Sequence, residues 1–149
     1  MDVTAVLDAP CPREALFEWV ADLSRYPKWL DIVPRAVPAD DAGDAPAWTI
    51  DLRGRLGPFA RSKRLRMVRT RNDAPDTVVF ERRERDGRSH SPWLLEATVA
   101  DSDDGGSRLT MHLHYGGGLW GPLVERLLSD EIERSRPRLL ALLESAGEG

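Results

Sequence analysis

LWGPLVERLLSDEIERSRPRLLALLESA, residues 119–146, is the stretch that decides the fold. Its apolar side chains Leu119, Trp120, Leu123, Val124, Leu127, Leu128 and Ile132, resumed by Leu139, Leu142 and Leu143, recur every three or four residues. That spacing places them on one stripe of an α-helix. At ~1.5 Å per residue the helix would run about 40 Å, so the rest of the chain must supply a surface long enough to cover it. Pro137 removes one helical hydrogen bond and crowds the preceding turn, which predicts a kink near residues 133–137. Glu131 falls in the middle of the stripe, beside Val124, Leu127 and Leu128, where an unpaired carboxylate is destabilising.

The covering surface is found upstream. Val3, Ala5 and Leu7 alternate with Thr4 and Val6 in a short edge-like strand, closed by Ala9-Pro10-Cys11-Pro12. Pro12 suits a first helical position, and Ala15, Leu16, Trp19 and Val20 give the following short helix one apolar face. Asp22-Leu23-Ser24 offers a stop and a fresh cap before a second short helix over residues 25–30, whose Tyr26, Trp29 and Leu30 require burial. Residues 33–37 suit a strand confined by Pro34 and Pro38 to an edge or a bend, and residues 39–46 read as a polar turn. From Trp48 the period changes to two, as Trp48, Ile50 and Leu52 alternate with Thr49, Asp51 and Arg53 before a turn at residues 54–58. Residues 61–71, 77–85, 93–100 and 108–115 repeat the theme, separated by short polar turns, and so form an antiparallel meander. The expected architecture is α+β: strand, two short helices, about six more antiparallel strands, and the long helix laid across one face of the sheet, in one domain covering residues 1–149.

Composition narrows the functional classes. The 149-residue chain is 41% hydrophobic, with five tryptophans, and 31% charged, as suits one packed domain. No segment approaches the ~20 apolar residues of a membrane span, and no basic region precedes an apolar run at the start, so a cytoplasmic location is expected. A single cysteine, Cys11, excludes an internal disulfide and any multi-cysteine metal site. The net charge of -4 is uneven, because residues 53–88 hold 12 of the 21 basic residues and five acidic ones, leaving that segment near +7.

Gly116-Gly117-Gly118-Leu119-Trp120-Gly121 satisfies G-x-G-x-x-G between a strand and a helix. A dinucleotide site also needs a parallel strand after that helix with an acidic residue at its end, and the chain offers none, so a turn is the better reading.

Three further segments carry a resemblance. These are Ala9-Pro10 leading into Ala15-Leu16-Phe17-Glu18-Trp19-Val20-Ala21-Asp22, then Leu23-Ser24-Arg25-Tyr26-Pro27-Lys28-Trp29-Leu30, and the glycine-rich approach to Leu119-Trp120-Gly121-Pro122-Leu123. With the element order, they resemble the START-like, or SRPBCC, superfamily of polyketide cyclase/dehydrase and lipid-transport proteins. The resemblance implies the helix-grip fold of the birch-pollen allergen: a curved antiparallel sheet of six to seven strands gripping the C-terminal helix, with an elongated apolar cavity between them.

Strand alternation nominates the cavity wall: Trp48, Ile50 and Leu52; Leu65 and Met67; Val78 and Phe80; Trp93, Leu95, Ala97 and Val99; Leu109, Met111, Leu113 and Tyr115. Trp120, Val124, Leu127, Leu128 and Glu131 would face them from the helix. Each residue singly reads equally as plain core. The same parity turns Lys63, Arg69 and Arg82 inward, so Glu131 and one of these cations are expected to form either a buried ion pair or the polar end of a ligand site.

The expected function is binding of a small hydrophobic or amphipathic molecule, such as a lipid, isoprenoid or aromatic polyketide, without a cofactor. The alternative that the resemblance implies is an aromatase/cyclase or dehydratase using the same cavity, with Arg82, Tyr115 and Glu131 as candidate catalytic groups. A third reading is an interaction module acting through Arg64, Arg66, Arg71, Arg83 and Arg85 on the opposite sheet face, toward an acidic partner or an anionic membrane surface. Glu81 and Glu96 can pair with these cations across strands, and no exposed stacking aromatics point to nucleic acid. His112 and His114 share one face of a strand, with no carboxylate or cysteine nearby in sequence at metal-ligand spacing.

Overall fold

The computed structural model describes residues 2–43, 45–56, 59–116 and 123–148, with side chains described except at 41, 42, 55, 56, 59–61, 123–128 and 146–148. Strands β1 (Asp2–Ala9), β2 (Arg35–Ala42), β3 (Ala45–Leu56), β4 (Phe59–Asp73), β5 (Thr77–Arg82), β6 (Trp93–Asp101) and β7 (Ser107–Tyr115) form one curved antiparallel sheet. Its spatial order is β1-β7-β6-β5-β4-β3-β2. Helix α1 (Arg13–Val20) and a 3-10 helix (Leu23–Lys28) follow β1, and α2 (Leu123–Glu148) ends the chain in the helix-grip arrangement.

Period-two patterning decides which sheet face is buried. Val3, Ala5, Leu7 and Ala9 of β1 point inward and the residues between them outward. Their partners Leu113, Met111 and Leu109 on β7 continue the inner layer, followed by Leu95, Ala97 and Val99 on β6. Across it, α2 packs along β1 and buries Ile132, Leu139 and Leu143. Leu16, Phe17 and Val20 of α1 join the same core. The 3-10 helix is pinned through its aromatics, since the Tyr26 hydroxyl donates to Val20 O at 2.8 Å and the Trp29 indole to Trp19 O at 3.3 Å. Asp22 caps it by accepting from the Ser24 amide at 2.9 Å.

Several boundaries differ from the sequence reading for identifiable reasons. Pro12 is the N-cap of α1 rather than its first helical residue. The second short helix is 3-10, a geometry suited to short runs, and it contains Pro27. Residues 39–42, read as turn, continue β2, because an edge strand admits Pro38 and solvates Asp40. Gly43, at φ +70°, then supplies the left-handed turn into β3. β3 runs on to Leu56, paired with Phe59, so residues 54–56 of the turn expected at 54–58 belong to a strand, and 57 and 58 lie outside the described residues. Helix α2 continues through Pro137 without a break in its assignment. Gly106 is required at the β7 approach, where a Cβ would lie 2.5 Å from the Ala9 carbonyl oxygen.

Asp31, just after the 3-10 helix, takes both guanidinium nitrogens of Arg138 and so ties α2 to this connection. Arg138 holds the Asp31 carboxyl below its ordinary value of 3.8. A depressed carboxylate contributes stability above its ordinary titration range and loses it as pH falls through the lowered one. The wild type should therefore be more stable than an Arg138→Met variant at pH 7, and denaturant midpoints for the two should converge at pH values below that lowered range.

Candidate functional site

Between the sheet and α2 lies an apolar cavity of about 90 Å³, several times the ~10–15 Å³ that a single water takes by the same measure. The sheet contributes Ile50 and Leu52 from β3, Leu65 and Met67 from β4, Trp93 and Leu95 from β6, and Met111 and Leu113 from β7. These eight were expected from strand alternation. Trp48, Phe80 and Tyr115, expected beside them, are buried in the core but are not among the residues lining the cavity. Phe80 instead meets Trp48 edge-on, with ring centroids 5.6 Å apart.

Sequence reasoning missed the other wall. Val3 and Ala5 enter from β1, Leu23 and Tyr26 from the 3-10 helix, Leu30, Ile32 and Val33 from the connection after it, and Ile132 from α2. The parity of β1 would have found the first two. Tyr26 is a neutral hydroxyl, since burial and the nearby Asp22 carboxylate push its phenol far above the ordinary range.

A polar rim lies beside the apolar cavity, and register explains why. Lys63 pairs with Leu52 across β3 and β4, and Arg82 pairs with Met67 across β4 and β5, so both cations share the inner face with cavity-lining residues, as expected. Because the sheet is antiparallel, the end of β3, the start of β4, the end of β5 and the start of β6 meet at one rim. There Arg82 Nε donates to Glu84 Oε1 at 3.0 Å, and its Nη1 to Ser91 O at 3.3 Å and Ser91 Oγ at 3.4 Å. Arg82 Nη2 lies 3.2 Å from His90 Nδ1. A guanidinium only donates, so Nδ1 accepts, and the His90 proton sits on Nε2, facing the Asp86 carboxylate at 2.8 Å. The Lys63 ammonium lies 5.6 Å from the Trp93 ring centroid. Burial first, then the Arg82 charge, lower the Lys63 pKa, and Glu84 opposes them.

The expected pairing of Glu131 with an inward cation is not what forms. Glu131 is buried, but its Oε1 accepts from Arg134, one turn along the same helix, at 2.8 Å. Arg82 is taken by Glu84, and Arg69 donates to Ala21 O at 2.9 Å while lying 5.8 Å from the Trp48 ring centroid. A nearby i,i+3 partner reaches Glu131 without crossing the core. Glu131 Oε2 is buried without a hydrogen-bond partner among the described residues, which makes the residue destabilising in place. A Glu131→Met variant should be more stable than wild type by about 1 kcal/mol in denaturant unfolding. Trp120 lies outside the described residues, as do the side chains of Val124, Leu127 and Leu128 and most of the glycine motif at 116–121.

On the outer face the arginines are largely engaged. Arg64 forms a two-point contact with Asp51 at 2.8 and 3.4 Å, Arg83 faces Glu81 at 3.8 Å, and Arg66 donates to Arg83 O at 2.8 Å and to Asp40 O. His112 and His114 gain the carboxylate that sequence spacing lacked. Asp2, from the neighbouring strand, accepts from both rings at 2.9 and 3.0 Å, which lowers its pKa. Among the described residues no cluster of His, Cys, Asp or Glu has metal-binding geometry, and no helix is long and apolar enough to cross a membrane.

The fold has close structural relatives at low sequence identity. A protein from Thermus thermophilus superposes with a TM-score of 0.74 at 18% identity, covering 98% of this chain and 99% of that one. A START superfamily protein from Mycobacterium smegmatis gives 0.71 at 14% identity, covering 97% and 98%. The di-domain ARO/CYC StfQ from the steffimycin biosynthetic pathway gives 0.68 at 13%, this chain matching over 99% of its length and covering 52% of StfQ. A sequence search among curated proteins finds no match. The model of the family described as polyketide cyclase/dehydrase and lipid transport matches residues 1–144, so the chain belongs to that family.

Proposed function

We propose that the protein binds one small hydrophobic or amphipathic molecule, such as a lipid, isoprenoid or aromatic polyketide, between its sheet and α2. The observation that supports this is the lining itself: every described residue in it is aliphatic, aromatic or methionine, with polar atoms confined to Tyr26 and Trp93. Such a space excludes water and favours apolar carbon. Sequestration is preferred to turnover because a general acid or base must reach the bound molecule. Arg82 is held by Glu84 and Ser91, Glu131 by Arg134, and Tyr115 is not part of the lining. An aromatase/cyclase or dehydratase activity, which the family description includes, would be marked by conversion of a polyketide mimic.

Native mass spectrometry of the purified protein is expected to show a carried molecule or a one-to-one complex with an added hydrophobic ligand. Ala5 lines the cavity with the smallest side chain there. An Ala5→Leu variant should fill that space and weaken ligand affinity about tenfold or more while remaining folded. Unchanged affinity in Ala5→Leu would place the ligand elsewhere.

A further inference from the structure

The rim where Lys63, Arg82 and Glu84 meet holds two cations and one carboxylate. Arg82 and Glu84 satisfy each other at 3.0 Å, and their side chains are 9% and 20% exposed. Lys63 is left with no carboxylate partner among the described residues, its ammonium held over the Trp93 ring. Trp93 lines the cavity and is itself 7% exposed, and its indole N–H is buried without an acceptor among the described residues. A buried donor lacking a partner is destabilising, as is a half-buried cation lacking a counterion, and an incoming anion relieves both. The ammonium lies 5.6 Å from the centroid of the ring that carries the N–H, so both donors belong to one side-chain contact beside the cavity.

We infer that this end of the cavity takes the carboxylate head of an amphipathic acid, with Lys63 as ion-pair partner, the Trp93 indole as second donor, and the acid's apolar body along the cavity. The inference deepens the ligand-binding reading above and rests on it. Two observations support the class. Both unsatisfied groups are donors, so they call for an acceptor-only head and not a hydroxyl. Lys63 and Leu52 also border a surface groove lined by Pro34, Asp51, Arg53, Ser62 and Arg64, and Leu52 lines the cavity as well, so a head at Lys63 stands at the opening with its tail directed inward. Glu131, the other buried group with an unsatisfied atom among the described residues, is an acceptor and cannot serve a carboxylate.

The test is calorimetric titration of the full chain with dodecanoate, dodecan-1-ol and dodecyl phosphate, repeated on Lys63→Met and Trp93→Phe. Lys63→Met keeps the apolar stem, and Trp93→Phe keeps a ring while deleting the N–H. Dodecanoate should bind wild type at least about tenfold more tightly than the alcohol, the worth of one charge-assisted hydrogen bond, and each variant should lose most of that margin, read as the ratio of acid to alcohol affinity within the same variant. Retained alcohol binding also reports that the variants are folded. Equal binding of acid and alcohol to wild type, or an undiminished acid preference in Lys63→Met, overturns the inference and leaves the cavity reading standing. Tighter binding of dodecyl phosphate than of dodecanoate overturns the carboxylate assignment. Binding of none of the three overturns the inference and counts against the cavity reading together.

Discussion

Truncation of Phe80 to alanine should cost about 3–5 kcal/mol, the usual range for removing a fully buried aromatic side chain. Phe80 has no exposed surface. Its ring stands edge-on to Trp48 at 5.6 Å and to Tyr26 at 6.4 Å, so it joins β3, β5 and the 3-10 helix in one aromatic cluster. Domains of this size have total stabilities of about 5–15 kcal/mol and lose ~2–4 °C of melting temperature per kcal/mol, which predicts a fall of roughly 6–20 °C. Thermal and urea unfolding of Phe80→Ala read this directly. Val6, the exposed large apolar residue at 47%, is the control, and Val6→Ala should change little. A loss under about 1 kcal/mol for Phe80→Ala would mean that the cluster rearranges to fill the space. If the cluster holds, the vacated volume lies beside Tyr26, a cavity-lining residue, so the variant should also accept bulkier ligands than wild type.

Replacing Arg82 with methionine should cost about 3 kcal/mol, because the partner left behind is the problem. Glu84 would keep the Arg66 amide, at 3.1 Å, but lose its counterion in a position where its side chain is 20% exposed. Removing one member of a poorly solvated pair strands the other charge, which is why such losses exceed those at surface pairs. A double variant, Arg82→Met with Glu84→Leu, should recover most of the stability in urea unfolding, since neither charge then remains unpaired. If single and double variants are equally unstable, the contribution of Arg82 lies in its bonds to Ser91 and His90 instead. The comparison matters for the ligand site. Arg82 was one of the three cations expected from sequence to face inward, and a candidate catalytic group, yet its hydrogen bonds are already committed to holding the rim together.

Much of this was legible in the residues. Period-two alternation gives the inner faces of β3, β6 and β7 and the stretch of β4 around Leu65 and Met67 correctly, and hence eight lining residues, because one buried sheet face fixes side-chain direction residue by residue. It also placed Lys63, Arg69 and Arg82 inward. Partners of those charges were not legible, because they depend on which strands and loops converge at one rim. Glu84 and Ser91 flank Arg82 in sequence without any periodic signal, and the Ala21 carbonyl that takes Arg69 is backbone. Helical periodicity placed Glu131 among apolar neighbours, and it is buried. Its nearest cation proved to be Arg134, three residues along, which sequence inspection for a cross-core partner passes over. An orphaned donor such as the Trp93 N–H is visible only once every surrounding acceptor has a position. The irregularity between Arg69 and Arg71 on β4 shifts Arg71 opposite Val79, and nothing in the local composition announces it.

The neighbour of β1 is β7, with Asp2 opposite His114. This pairing joins the first strand of the element order to the last, and α2 then packs along that same first strand. A ribosome making this chain releases β1 more than a hundred residues before its partner, and β2 to β6 can zip through short turns while β1 waits. Contacts so distant in sequence are slow to close, since the intervening chain must first be ordered. The wall formed by Val3 and Ala5 is therefore expected to be the last part of the cavity to exist during synthesis, so the binding site is complete only when β7 and α2 have followed.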